Sequence, residues 1–142
     1  MILSELFELP RIHNPKVQRH MYEVEQDVGG RKITFIAMNN EYDEDDRWRI
    51  DFAEHLDADV DEPFVSTMTG KGKEFEVFSF VIACAKDFIA KKDPKIIELR
   101  SDKKEPGRAP LYARLAKKFG AGYEISHTET ERHNITVLTK RT

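Results

Sequence analysis

Two glycines alternate with two lysines directly ahead of a long apolar pattern, in the run Gly70-Lys71-Gly72-Lys73. A glycine turn that enters a helix presents backbone N–H groups and the positive end of the helix dipole, a combination that holds phosphate groups. Glu74 follows the turn and would repel the same phosphates, by on the order of 3 kcal/mol at ~5 Å and an effective dielectric constant near 20. The alternative interpretation is a simple glycine turn at the start of an amphipathic helix.

An acidic run places three aspartates at alternate positions, Asp57, Asp59 and Asp61, as a calcium-binding loop does. The rest of that motif is missing, because Glu62 stands where the loop needs glycine and Met68 where it needs glutamate. The sequence therefore predicts a solvated acidic loop over Asp57–Glu62.

The other residue types that bind metals are few. His127 and His133 could approach each other across a C-terminal hairpin, but two histidines without a third ligand do not make a typical site. The single cysteine, Cys84, cannot form an internal disulfide, and its place inside a long helix predicts an unreactive buried thiol. We expect no metal site.

Length and composition predict one charge-rich domain over residues 1–142. Hydrophobic side chains make up 39% of the chain and charged ones 35%, which allows a real core in a single domain. The longest apolar run, Phe78–Ala85, is far shorter than the roughly 20 residues of a membrane helix. No basic segment precedes an apolar one at the start of the sequence, so we expect an intracellular protein with no signal peptide and no membrane partner.

Charge is divided unevenly along the chain. Residues 1–62 carry a net charge of −9 and residues 63–142 a net charge of +6, so the second part could attract phosphates or acidic protein surfaces. The alternative is ordinary solvation of a small surface. A basic ridge could bind nucleic acid, but acidic residues interrupt it, the isoelectric point is about 6.0 and no recognition motif is present, so we expect no such partner. The ridge comprises Arg100, Lys103, Lys104, Arg108, Arg114, Lys117 and Lys118.

Local patterns predict an α/β protein, more narrowly an α+β fold in which helices cover a mixed sheet. Gly29-Gly30 between two strand-like runs predicts a tight hairpin, and apolar residues at three- and four-residue spacing predict two long helices. The strand between those helices should be parallel to its neighbour. Residues Arg11–Gln18 and Ser101–Gly107 are predicted to be irregular connections. The predicted order is a short helix at Leu3–Leu9, strands at Met21–Val28, Lys32–Met38, Trp48–Ala53 and Phe64–Met68, a helix at Glu74–Lys92, a strand at Lys95–Arg100, a helix at Arg108–Phe119, and antiparallel strands at Gly122–His127 and Asn134–Lys140.

This order resembles the GNAT superfamily of acetyl-CoA-dependent N-acyltransferases over about residues 20–140. The specific part is Thr69–Ile125, with a glycine loop, a long helix, a strand, and a helix that carries Leu111-Tyr112 near its start. In that family the loop begins with Arg or Gln and ends with a small residue, whereas Thr69 and Glu74 occupy those positions here. The resemblance implies an acetyltransferase-like fold with a divergent cofactor loop.

More narrowly, the run from Gly70 to Leu111-Tyr112 resembles a set of small proteins of tailed bacteriophages. This resemblance implies a phage origin. Together the two resemblances imply one domain with three parts. An N-terminal helix and connection occupy residues 1–19, antiparallel strands occupy residues 20–68, and the half that carries the cofactor-type loop occupies residues 69–142.

The resemblance also implies site residues. Tyr112 stands where many family members have the general acid that returns a proton to the departing CoA thiolate. The alternative for Tyr112 is a ring packed in the core, with its hydroxyl bound to the backbone. The general base would come from Asp51, Glu54 or His55. Residues implied to bind the cofactor are Gly70, Lys71, Gly72, Lys73 and Arg108.

Two functions follow as expectations. In the first, a bacteriophage protein keeps the acetyltransferase fold, needs no cofactor, and binds a host or virion protein in the host cytoplasm or in the virion. In the second, the chain is an active N-acetyltransferase that binds acetyl-CoA with Lys71 and Lys73 in place of the usual basic residue, and Tyr112 serves as the acid.

Overall fold

A computed structural model describes residues 9–40, 46–55, 61–63, 74–104 and 107–141 of the chain. The described residues form a mixed α+β fold, as predicted, and neither of their two helices is long and apolar enough to cross a membrane. The elements are β1 (Lys16–Gln18), β2 (Met21–Val28), β3 (Arg31–Asn39), β4 (Arg47–His55), β5 (Asp61–Pro63), α1 (Glu74–Lys92), β6 (Ile96–Asp102), α2 (Arg108–Phe119), β7 (Tyr123–Glu129) and β8 (His133–Lys140).

The strands form one sheet in the order β1-β2-β3-β4-β6-β8-β7, with β5 paired to β4. Strand β6 is parallel to β4, which confirms the parallel strand expected between the helices, and the other pairs in the described sheet are antiparallel. This order of strands and helices is compatible with the acetyltransferase resemblance.

The parallel contact between β4 and β6 is short. It spans three register pairs, from Arg47 opposite Ile96 to Arg49 opposite Glu98. Because β3 pairs with one edge of β4 from Trp48 to His55, β5 must lie on the other edge, the one that faces β6, where it pairs with residues 53–55. Strands β4 and β6 therefore diverge after Arg49, and β5 lies beside the far half of β4.

The hairpin between β2 and β3 forms at the two glycines, as predicted. Gly29 and Gly30 have φ angles of 60° and 84°, which glycine adopts without steric cost, and Val28 pairs with Arg31 across the turn. The hairpin fixes which side chains of β2 and β3 face the core.

Both helices pack on the same face of the sheet. On that face the Phe88 ring of α1 lies 5.7 Å from the ring of Tyr22 and 5.1 Å from the ring of Trp48. The Tyr112 ring of α2 lies 5.7 Å from the ring of Phe52. Trp48 and Phe52 are four residues apart on β4 and so share one face. Helix α2 also approaches β8 closely, because a Cβ added at Gly120 would lie 2.6 Å from Leu138 Cδ2.

Three predicted connections were partly wrong. The segment Arg11–Gln18 contains the short strand β1, the acidic loop Asp57–Glu62 ends in β5, and the turn predicted at Ser101–Gly107 begins later because β6 continues to Asp102. Each extra strand segment forms by pairing with a neighbour, which local propensity does not encode. The predicted strand Phe64–Met68 and the predicted helix Leu3–Leu9, apart from the coil residue Leu9, lie outside the described residues.

Candidate functional site

Three polar side chains meet beside the point where β4 and β6 diverge. Asp51 stands on β4 two residues after the last parallel pair, Arg108 begins α2, and Tyr112 follows one turn later. Arg108 Nη1 donates a hydrogen bond of 2.9 Å to Tyr112 Oη. Tyr112 Oη in turn lies 3.5 Å from Asp51 Oδ1, to which it donates, and Arg108 Nη1 lies 3.6 Å from the same carboxylate oxygen. We refer to Asp51, Arg108 and Tyr112 as the junction cluster.

Burial makes the contacts of Arg108 important for stability. The Arg108 side chain is only 10% exposed and Tyr112 has no exposed surface, whereas the Asp51 side chain is 61% exposed. A buried guanidinium needs acceptors close by, since burying a charge without compensation is costly. Tyr112 supplies an acceptor from the same helix, because residues four apart lie on one helix face.

Arg108 also stands at the unfavourable end of α2. The N-terminus of a helix carries a partial positive charge, which disfavours a cation there. Gly107 precedes the helix without a side-chain cap, and the first turn contains no acidic residue. Asp51, from β4, therefore supplies the negative charge that the helix does not.

The junction cluster contains a proton donor, a cation and a carboxylate within hydrogen-bonding range, a set that can perform acid–base chemistry. The hydroxyl of Tyr112 is directed at Asp51, and its ring packs in the core against Phe52. The ring of Tyr112 therefore packs in the core, as the alternative interpretation predicts, but its hydroxyl contacts side chains and not the backbone. The role of Tyr112 as a general acid stays a prediction.

The other predicted site residues are placed unevenly. Gly70, Lys71, Gly72 and Lys73 lie outside the described residues, so the phosphate-binding loop stays a prediction. Arg108, assigned to the same site, belongs to the junction cluster.

The three candidates for a general base differ in position. Asp51 belongs to the junction cluster. Glu54 is buried on the face of β4 that carries Phe52, and its Oε1 lies 3.6 Å from Nε of Arg31. The side chain of His55 is outside the described part of the structure. Asp51 is therefore the described candidate that contacts Tyr112.

The two C-terminal histidines are not brought together as ligands. His127 lies opposite Thr136, and its Nδ1 is 3.3 Å from that hydroxyl, whereas His133 lies opposite Asp102 on β6. In the part of the chain that the structure describes, no three metal-ligating side chains are grouped together.

Cys84 is fully buried in α1, and desolvation raises the pKa of its thiol, so the expectation of a buried thiol is confirmed.

The architecture defines the class of fold, a mixed α+β sheet with acetyltransferase-compatible topology. In comparisons with known proteins, no family model matches the chain and no curated protein sequence matches it. The functional conclusion therefore depends on the geometry of the described residues and on the resemblance noted in the sequence.

Proposed function

We propose that this chain is a bacteriophage protein with an acetyltransferase-like fold that acts by binding a host or virion protein, not by acetyl transfer. The observation that carries the proposal is the filled junction beside the diverging strands β4 and β6, where Tyr112 has no exposed surface and Arg108 is buried. A binding role needs no open cleft at that place.

The contacts of Tyr112 support this proposal. A general acid must lie within hydrogen-bonding reach of the leaving group. The hydroxyl of Tyr112 instead contacts Arg108 and Asp51. To reach a CoA thiolate, the side chain would have to give up a hydrogen bond to a charged group, worth about 1.5–3 kcal/mol.

The pairing of β5 supports it as well. Four residues beyond the last parallel pair at Arg49, the edge of β4 that faces β6 is paired, over residues 53–55, with Asp61–Pro63 of the same chain. A ligand that entered between β4 and β6 at this level would compete with that pairing for the backbone groups of β4. This pairing supports a function that needs no ligand between the two strands.

A second candidate function is N-acetyl transfer with acetyl-CoA, and one observation favours it. Asp51, Arg108 and Tyr112 lie within 3.6 Å of one another through their polar atoms. A phenol that contacts a guanidinium and a carboxylate is suited to proton transfer. Opening of the junction would expose this set.

Calorimetric titration of the full chain with acetyl-CoA separates the two functions. We expect no heat of binding, whereas a dissociation constant near 1 μM, equivalent to about −8 kcal/mol, would overturn the proposal. A Glu74→Gly variant serves as the comparison, because it restores the small residue of the family loop. Binding by the variant alone would indicate a cofactor site that the natural sequence has lost, in agreement with the proposal.

The binding role is tested directly by affinity capture. The full chain, tagged and produced in infected host cells, should enrich a specific protein that the tag alone does not, identified by mass spectrometry. A Tyr112→Phe variant should capture the same partner. Failure to enrich any partner, together with acetyl transfer that Tyr112→Phe abolishes, would establish the enzyme instead.

A further inference from the structure

A groove of about 230 Å³ lies between α1 and α2, and no residue of the junction cluster is among its described lining residues. Its apolar floor comes from Phe78 and Ile82 of α1, one turn apart, and from Leu115 of α2. Phe78 and Ile82 are only half-buried, although Val77 and Val81 beside them are buried. Two large apolar side chains are thus left accessible within one concave surface.

The rim of the groove is basic. Arg114 and Lys118, four residues apart on α2, line it, and Ser79 is the remaining lining residue in the part of the chain that the structure describes. The guanidinium carbon of Arg114 lies 5.6 Å from the ring centroid of Phe78, which places a positive charge directly over the apolar floor.

The charge of helix α2 reinforces this rim. Helix α2 contains four basic residues and no acidic one. Glu76 of α1 and Asp27 of β2 line a neighbouring cavity, which shares Ser79 with the groove. No side chain that lines the groove in the described structure is acidic. The groove is therefore complementary to a ligand that combines apolar groups with negative charge.

We propose that this groove docks an acidic amphipathic helix of the partner protein, an inference that rests on the proposed binding function. Large apolar residues at i and i+4 of the partner helix would contact Phe78 and Ile82, and adjacent Glu or Asp residues would pair with Arg114 and Lys118. A groove between two helices suits such a helical segment. Its volume is below the ~300–1,000 Å³ of typical small-molecule sites, which favours protein side chains over a cofactor.

Fluorescence polarisation with a defined probe tests this inference on the full chain. The probe is a labelled helical peptide with Leu at i, i+4 and i+7 and Glu between them, and its control peptide has Lys in place of each Glu. The acidic peptide should bind saturably and about tenfold more tightly than the control peptide, because the rim is positive. Failure of the acidic peptide to bind, or equal binding of both peptides, overturns the inference.

Matched variants locate the site. Arg114→Glu and Lys118→Glu should each weaken binding of the acidic peptide about threefold to tenfold. Lys117→Glu makes the same charge change on the same helix at an exposed position that does not line the groove, and it should change binding less than twofold. Equal effects of all three variants would show general charge attraction and overturn the inference. Ile82→Ser tests the apolar contact, with circular dichroism as the check on folding.

Three other occupants of the groove would each give a different experimental result, and each of these results would overturn the inference. Self-association of the full chain that Arg114→Glu abolishes would identify a second copy. Co-sedimentation with phosphatidylglycerol vesicles that the same variant abolishes would identify a membrane surface. Peptide binding that appears only after removal of residues 1–8, which include Glu5 and Glu8 among apolar residues, would identify the chain's own segment.

The groove and the proposed function can fail separately. If Arg114→Glu and Lys118→Glu still capture the partner, the proposed binding function stands and the docking role of the groove is overturned. Acetyl-CoA binding without partner capture overturns the binding function, and with it the role assigned to the groove, even if the peptide binds.

Discussion

Replacement of Tyr112 by phenylalanine removes one oxygen atom from the junction cluster and leaves the packed ring in place. The ring would still lie against Phe52 in the core. Arg108 would lose the acceptor that lies 2.9 Å from its Nη1, while its own side chain stays buried. The variant therefore measures what the hydroxyl does for folding.

The structure sets the expected magnitude. A hydrogen bond to a charged group contributes about 1.5–3 kcal/mol, and loss of a partner from a buried group lies at the upper part of that range. The contact of Arg108 with Asp51 compensates little, because it is 3.6 Å long and water solvates the largely exposed carboxylate; an ion pair screened by solvent contributes about 0–1 kcal/mol. We expect Tyr112→Phe to lower the free energy of unfolding by about 2 kcal/mol and Asp51→Asn by less than about 1 kcal/mol.

Equilibrium unfolding in urea measures both changes. Tyr123→Phe is the matched control, because it removes a buried tyrosine hydroxyl that donates to the neutral backbone carbonyl of Pro94; its cost should be about 0.5–1.5 kcal/mol. A double-mutant cycle of Tyr112→Phe with Arg108→Met should then give a coupling energy above about 1 kcal/mol.

A small effect of Tyr112→Phe would refute this reasoning. If the free energy of unfolding changed by less than about 0.5 kcal/mol, the hydroxyl would not support the buried guanidinium. If the same variant also lost acetyl transfer, the hydroxyl would be a catalytic group held in place by the rest of the fold.

Three further predictions concern the core and the tyrosines. Gly120→Ala should lower the free energy of unfolding by about 1–3 kcal/mol in urea titrations, because the new Cβ would meet Leu138 Cδ2 at 2.6 Å and the adjacent helix carbonyl at 2.5 Å; an unchanged midpoint would contradict the close packing of α2. Cys84 should react with a thiol reagent at pH 8 only after unfolding, since burial raises the pKa of its thiol; rapid reaction of the native protein would contradict this. Burial raises the pKa of Tyr123 to about 12, and burial together with the hydrogen bond to Asp87 raises the pKa of Tyr22. The folded state therefore holds these protons more tightly than the unfolded state. The stability that they contribute should be complete below about pH 10, the pKa of an unfolded tyrosine, and should decrease as the pH rises toward about 12. A urea midpoint that stays constant when the pH is raised from 9 to 11 would contradict this prediction.

The two helices and the central hairpin could be predicted because their signals are local. The apolar spacing within Glu74–Lys92 and Arg108–Phe119 matched the helices to the residue. Breakers stand at their ends, Asp93-Pro94 after α1 and Gly120 after α2. Gly29-Gly30 fixed the register of β2 and β3 in the same local way.

The short strands could not be predicted because they depend on pairing. β5, with the sequence Asp61-Glu62-Pro63, has no apolar alternation and is typical of a loop by composition. β1 is exposed along its whole length, so it also lacks the pattern of a half-buried strand. Both are strands because a neighbouring strand supplies hydrogen-bonding partners.

The site was predictable only in part, for a similar reason. Arg108 and Tyr112 share a helix face by their spacing, so their contact could have been inferred from sequence. The contact with Asp51 joins residues 61 positions apart and depends on where β4 and β6 diverge. The groove was missed because Phe78 and Ile82 match a core-facing pattern, and only the relative placement of α1 and α2 leaves them accessible.

The short parallel contact between β4 and β6 has a consequence for how the chain folds. The strands of residues 16–63 pair among themselves, and so do those of residues 96–140, whereas three register pairs join the two sets. Each set can close its own loops at low entropic cost, because its partners are near in sequence. Helix α1 connects the two sets along the chain, and its Phe88 packs on Tyr22 and Trp48 of the first set. We expect each set of strands, with its low contact order, to form early. Pairing of β4 with β6 should then complete folding.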